Sequence, residues 1–131
     1  MADEPLQVEL VAADQLVWSG EASFVLARTT DGEIGILPRH APVLSVLVES
    51  AVMIRGDGGD TQFAAVDGGF LSVAENRVSI LAEQAMLADD IDTGKAHQDL
   101  ERAQGEADDD EEAARMVRWA EARIAATERS G

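Results

Sequence analysis

The sequence has no cysteine and no tyrosine, three prolines, two histidines and only 4% aromatic residues. Without cysteine there is no disulfide framework, no thiolate zinc site and no cysteine nucleophile. That usage suits a reducing cytoplasm. Basic residues are scarce as well: ten Lys and Arg stand against 26 Asp and Glu, for a formal net charge of −16. Such a chain repels phosphate backbones, which excludes direct nucleic-acid binding, and it excludes electrostatic attachment to anionic lipid. No uninterrupted apolar run exceeds four residues, so none can cross a bilayer as a helix. The first residues, Met1-Ala2-Asp3-Glu4-Pro5, lack the positive charge and the apolar stretch of a signal peptide. Any membrane role must then run through another chain.

What is present fits a globular protein. With 131 residues and 46% hydrophobic content, the chain has room for one full domain and a small appendage, with a real core. The first part reads as strands and turns. Leu6-Gln7-Val8-Glu9-Leu10 alternates apolar and polar, the pattern of a half-buried strand. Leu16-Val17-Trp18 and residues 22–27, broken at Ser19-Gly20, add two more. Asp31-Gly32 marks a turn before Ile34-Gly35-Ile36-Leu37. Val43-Leu44-Ser45-Val46-Leu47-Val48 closes at Glu49-Ser50, and Ala51-Val52-Met53-Ile54 follows. Gly56-Asp57-Gly58-Gly59-Asp60 is a hairpin loop leading to Phe63-Ala64-Ala65-Val66. Phe70-Leu71-Ser72-Val73 and Val78-Ser79-Ile80-Leu81 flank another. Strands recur about every ten residues, as in an antiparallel sandwich or barrel.

The character changes near Asp89. Ala96, Leu100, Ala103 and Ala107 fall on one helical face, with Asp92 as its N-cap. Ala113, Val117, Ala120 and Ile124 repeat the spacing after Gly105 and the acidic run 108–112, with Asp109 or Asp110 as cap. The two helices form an antiparallel hairpin. Its seam is mostly alanine, which buries little apolar surface, so the sequence predicts a marginal hairpin able to detach, extend or pack elsewhere.

Catalytic constellations are nearly empty. His40 and His97 lie in different halves, and no nucleophile elbow occurs. Thr93-Gly94-Lys95 looks like the end of a phosphate loop, but Asp89 stands where its first glycine belongs and Ala96 follows the lysine. The run 108–112 lacks the glycine and spacing of a calcium loop and reads as a solvated helix start. The most individual segment is Gly32-Glu33-Ile34-Gly35-Ile36-Leu37-Pro38-Arg39-His40-Ala41-Pro42. Local chemistry alone makes it a structural turn: its prolines end a strand, and Gly35 suggests a bulge or a close backbone approach. Asp67-Gly68-Gly69-Phe70-Leu71-Ser72-Val73 likewise reads as a tight turn feeding a buried strand.

Together, Gly32-x-x-Gly35-Ile36-Leu37-Pro38-x-His40-x-Pro42, Gly68-Gly69-Phe70-Leu71-x-Val73, Val78-x-Ile80-Leu81-Ala82-Glu83 and Asp90-Ile91-Asp92 resemble the epsilon subunit of bacterial F-type ATP synthase. The resemblance implies a mainly β fold with α: a ten-stranded antiparallel β-sandwich over residues 1–88 for rotor attachment, then a regulatory two-helix antiparallel hairpin over 89–131. It implies a central-stalk subunit with no active site and no required cofactor. Its sandwich would grip the gamma subunit and the c-ring, coupling proton-driven rotation to ATP synthesis. Its helices would restrain ATP hydrolysis. The chain would sit peripherally on the cytoplasmic face of the bacterial plasma membrane.

The same resemblance nominates Glu33, Gly35, Pro38, His40 and Pro42 as rotor contacts, Glu33 toward the c-ring and His40 toward gamma. An ATP-binding motif of some relatives corresponds here to Ile91, Asp92, Lys95 and Ala96. Lysine lacks the planar fork of arginine, and an N-cap Asp92 with a solvated Lys95 is the preferred alternative. Arg115, Arg118 and Arg123 are candidates for a brake contact with an acidic loop of the catalytic beta subunit. Local pairing with Glu121 or Glu112 is an equal alternative. The charge distribution suits the brake: residues 113–131 carry +2, from four Arg against Glu121 and Glu128, while the rest carries −18. The competing readings are a stand-alone β-sandwich binding module with a helical dimerisation tail, and an ATP sensor acting through Lys95 and the arginines.

Overall fold

A computed structural model describes residues 4–13, 15–106 and 110–130. β1 (Leu6–Ala12) alternates as its sequence demands, with Leu6, Val8, Leu10 and Ala12 buried and Gln7 and Glu9 exposed. β2 (Gln15–Thr29), β3 (Gly32–Ile36), β4 (Val43–Gly56), β5 (Thr61–Ala74), β6 (Arg77–Ala82) and β7 (Ala85–Leu87) complete seven strands. The order is β1-β6-β5-β4-β2-β3, and β1 also pairs β2. Five strands thereby close on themselves like a barrel around Leu6, Leu10, Val25, Ile36, Ile54 and Leu71. β3 flanks β2, and β7 flanks β5.

Two expectations are corrected here. The sheet is not wholly antiparallel, because β1 and β6 run parallel from Gln7↔Arg77 to Ala12↔Ala82. No hairpin joins these two strands, so no turn constrains their relative direction. Among the described residues there are also seven strands rather than ten. β2, β4 and β5 run unbroken through Ser19-Gly20, Glu49-Ser50 and Gly68-Gly69, where the sequence suggests breaks.

The reason is visible in the side-chain parity. Leu47 points into the core, and then Val52 and Ile54 do; on β5, Ala64 and Val66 point in, and then Leu71 and Val73. The inward face changes parity within each strand, from odd to even numbers along β4 and from even to odd along β5. Such a change reads as a strand end, because alternation has period two. Yet the ladder holds its register across the change, from Leu47↔Gly69 to Glu49↔Asp67. Gly68 and Gly69, at φ +109 and +110, carry β5 through it.

This shift also creates two different outer faces on the same pair of strands. Toward one end, Leu44, Val46 and Phe70 point outward. Toward the other, Glu49, Ala51, Phe63 and Ala65 form the platform for the helices.

A 3-10 turn (Ala88–Asp90) leads to α1 (Thr93–Glu106) and α2 (Glu111–Ser130). Asp92 caps α1, its Oδ1 accepting from the Lys95 amide at 3.0 Å. Asp110 caps α2, accepting from the Glu112 amide at 3.0 Å. Asp109, the other candidate cap, lies outside the described residues, as does Ala107. The inter-helix seam contains buried Ala96 and Ala103 of α1 and Ala113, Ala120 and Ile124 of α2, with Leu100 and Val117 half-buried. A second buried face of α2, carrying Ala122 and Ala126, was not expected. It packs with Trp119 on Ala51, Phe63, Ala65, Ala88 and Ile91. α2 is therefore sandwiched between α1 and strands β4 and β5.

Candidate functional site

Glu33 and Gly35 lie on β3, and Pro38, His40 and Pro42 in the connection to β4. Pro38 ends the ladder, and the His40 amide donates to the Leu37 carbonyl at 3.1 Å to close a turn. Arg39 takes a left-handed φ of +68, and its amide donates to Asn76 Oδ1 at 2.6 Å. That bond ties the loop to the β5–β6 hairpin. His40 Nδ1 lies 2.7 Å from the Ala41 carbonyl oxygen, so this nitrogen is the donor. Exposed Glu33 pairs with Arg28 at 3.7 Å. Gly35 sits in regular register opposite Leu26, so there is no bulge. Its lack of a Cβ instead makes room for the Phe24 ring, whose edge would lie 3.0 Å from one.

Beside this loop is a feature that the sequence reading did not nominate. Val46, Phe70 and Leu81 stand side by side across β4, β5 and β6. Leu44 is two residues along from Val46 on the same face. Leu44 is 77% exposed and Phe70 52%, with Val46, Leu81 and nearby Leu37 also exposed. Scattered exposed apolar residues are ordinary, but a contiguous cross-strand row marks an interaction surface. Its signal was the run 43–48, apolar at both parities. A strand with one wet face has no reason for that pattern.

At the base of α1, Ile91 joins the alanine cluster beneath α2, and Ala96 is fully buried. Lys95 Nζ bonds Asp99 at 3.2 Å. The same carboxylate accepts from Arg123 at 3.0 Å. Burial works to raise the Asp99 carboxyl, but the bonds from Arg123 and Lys95 outweigh it and hold the group below the usual carboxylate range. A cleft of about 580 Å³ opens here, with Lys95, Arg102 and Arg123 facing Asp90, Asp92 and Asp99. A polyphosphate fits this donor set poorly, since two of the three cations are already bonded to Asp99 and the remaining carboxylates repel it.

The three nominated arginines of α2 have separate partners, and none uses Glu121 or Glu112. Arg118 Nε donates to Glu49 Oε1 on β4 at 2.9 Å. Arg115 lies 3.9 Å from Asp67 on β5 and 3.8 Å from Glu83. Arg123 is buried within the hairpin, bonded to Asp99 and stacked 5.2 Å from the Trp119 ring centroid. Asp67 is further held by the amide of Gln84 at 2.9 Å and by its Nε2 at 3.2 Å.

Comparison with known proteins decides the family. Residues 5–88 match the model for the ATP synthase delta/epsilon chain β-sandwich domain. The chain is 57% identical over 103 residues to the ATP synthase epsilon chain of Streptomyces avermitilis, covering 79% of this chain and 83% of that one. It is 49% identical over 122 residues to the epsilon chain of Mycolicibacterium vanbaalenii, covering 92% and 93%. The chain belongs to the ATP synthase epsilon family.

Members of the epsilon family are accessory, non-catalytic chains of the synthase. The fold is shared more widely. A chain of the Euglena gracilis mitochondrial ATP synthase (OSCP/F1/c-ring) superposes with a TM-score of 0.82 at 22% identity, covering 96% of this chain and 83% of that one. A chain of the Tetrahymena thermophila mitochondrial ATP synthase central stalk and c-ring gives a TM-score of 0.61 at 15% identity over the full length of both. The family-model match ends at Ala88. In this epsilon chain Arg115, Arg118 and Arg123 all lie beyond it, so their partners come from the geometry of this molecule alone.

Proposed function

We propose that this chain is a rotor subunit of the ATP synthase central stalk. It couples proton-driven rotation of the c-ring, through gamma, to ATP synthesis. Residues 1–88 serve as the rotor foot, and residues 89–131 as a hairpin that restrains ATP hydrolysis by reaching the catalytic beta subunit. The observation that carries this reading is the pair of unlike outer faces on β4 and β5. One is bare and apolar at Leu44, Val46 and Phe70; the other is covered by α2. A rigid closed barrel with a bare apolar face suits permanent docking, whereas an alanine-rich helical cover suits release.

Glu33 and Gly35 on β3, with Pro38, His40 and Pro42 in the loop that follows, supply further rotor contacts. The chain is held at the cytoplasmic face of the bacterial membrane by its partners; no helix among the described residues is long and apolar enough to cross. The test is assembly of the stalk with Phe70→Asp. A buried anchor of this kind is worth on the order of 2 kcal/mol, so co-purification with gamma and the c-ring should fall at least tenfold. Unchanged assembly would refute the docking face. Deleting residues 113–131 should raise hydrolysis by the assembled enzyme; an unchanged rate would remove the brake.

A further inference from the structure

A helix seated mostly on alanines needs another source of register. Beneath α2, Glu49 on β4 and Asp67 on β5 are direct cross-strand partners. Carboxylates facing each other across a ladder repel. Neither is well hydrated, with side chains 12% and 2% exposed. α2 brings Arg118 to 2.9 Å from Glu49, and Arg115 to 3.9 Å from Asp67, shared with Glu83 at 3.8 Å. Residues three apart on a helix have Cβ atoms about 5–6 Å apart. Facing residues of a ladder are separated by about 5 Å. One turn of α2 therefore matches one rung of the sheet, cation for anion. Arg123 takes no part, since it is bonded inside the hairpin to Asp99 and moves with it.

We infer that Arg115-x-x-Arg118 and the Glu49/Asp67 rung form an electrostatic clasp, which fixes the register of the docked hairpin and opens as a unit. A shift of α2 by one turn leaves one arginine beyond the rung and one carboxylate uncompensated. Lifting α2 removes both cations; Asp67 keeps its bonds from Gln84, and its repulsion of the neighbouring Glu49 favours re-docking. Ionic strength then modulates the docked population. The clasp rests on the reading of the hairpin as a movable element and adds the groups that hold it.

The test is hydrogen exchange on the full chain, for the unsubstituted protein, Glu49→Gln, Arg118→Gln and the double variant. Each single variant should speed exchange in residues 111–130 by about threefold to tenfold, as expected for a charge-assisted bond. The double variant should be no faster than the singles, and β1 should be unaffected. Raising salt from roughly 50 mM to 0.5 M, which shortens screening to a few ångströms, should speed helix exchange in the unsubstituted chain more than in the double variant. Unchanged helix exchange in the singles, additive effects in the double, or salt independence would each overturn the clasp. If Glu49→Gln also exposes β1, Arg118→Gln carries the test, because that side chain is 45% exposed. Hydrolysis by the assembled synthase separates the two readings. Faster helix exchange with unchanged hydrolysis keeps the clasp and removes the brake.

Discussion

Three glycine-to-alanine substitutions separate the two reasons a glycine can be required. Gly69 has φ +110, and a Cβ built on it would overlap the Leu81 carbonyl oxygen of the neighbouring strand. Gly32 has a similar φ of +117 but open space around it. Gly58 has open space and no left-handed φ. Gly58→Ala should change stability by less than about 0.5 kcal/mol or stabilise slightly, through the unfolded chain. Gly32→Ala should cost about 1–2 kcal/mol, the strain of a non-glycine residue in that region. Gly69→Ala carries that strain and must also push β5 away from β6, where Phe70↔Leu81 and Leu71↔Ile80 are paired. Overpacking adds about 1–3 kcal/mol, for a total of about 2–5 kcal/mol with a midpoint of roughly 3–4 kcal/mol. For a chain of this size that is roughly a 10–15 °C fall in melting temperature. Urea unfolding of the isolated chain with a tertiary fluorescence probe, plus a thermal scan, measures all three. A Gly69→Ala loss no larger than that of Gly32→Ala would refute the steric part of the reasoning.

The depressed Asp99 carboxyl makes hairpin stability pH-dependent. Its contribution is fully present above the unfolded aspartate value of about 4 and is lost as pH falls through the lower folded value. A carboxyl NMR titration placing Asp99 at or above the ordinary range would contradict the Arg123 and Lys95 bonds. Asp92→Ala should fray the first turn of α1 and cost about 1 kcal/mol, read as faster exchange at the Lys95 amide; unchanged exchange would mean the cap contributes nothing. Titration with ATP should show no saturable binding, because Asp99 engages Lys95 and Arg123. Saturable binding weakened by Lys95→Ala would overturn that expectation.

Local chemistry was legible. The alternation of β1, the turns at Asp31-Gly32 and Gly56 to Asp60, and the caps Asp92 and Asp110 all depend on residues within a few positions of one another. Family membership was legible for the same reason, from motifs centred on the 32–42 loop. What escaped the reading was nonlocal. A change of inward parity in β4 and β5 looks like a strand end unless the partner is seen changing in step. β7 is three residues of Ala-Met-Leu with no pattern of its own, and it exists because Ala64 to Val66 offers an edge. The exposed row at Leu44, Val46 and Phe70 could not be told from core, because apolar residues at both parities do not say which face is covered.

The sequence by itself determined the element types, their turns and caps, the family, and the concentration of positive charge in the last helix. Those follow from short-range sterics, hydrogen bonding and composition. Only the tertiary structure decided that β1 and β6 run parallel, that three long strands pass through their apparent breaks, and that α2 has a second buried face. It also divided the arginines between two tasks. Arg123 is bound to Asp99 inside the hairpin, and Arg118 meets Glu49 across 69 positions of chain. The physical reason is range. An ion pair of this kind is a property of two surfaces brought together, and neither surface is written in the spacing of either residue's neighbours.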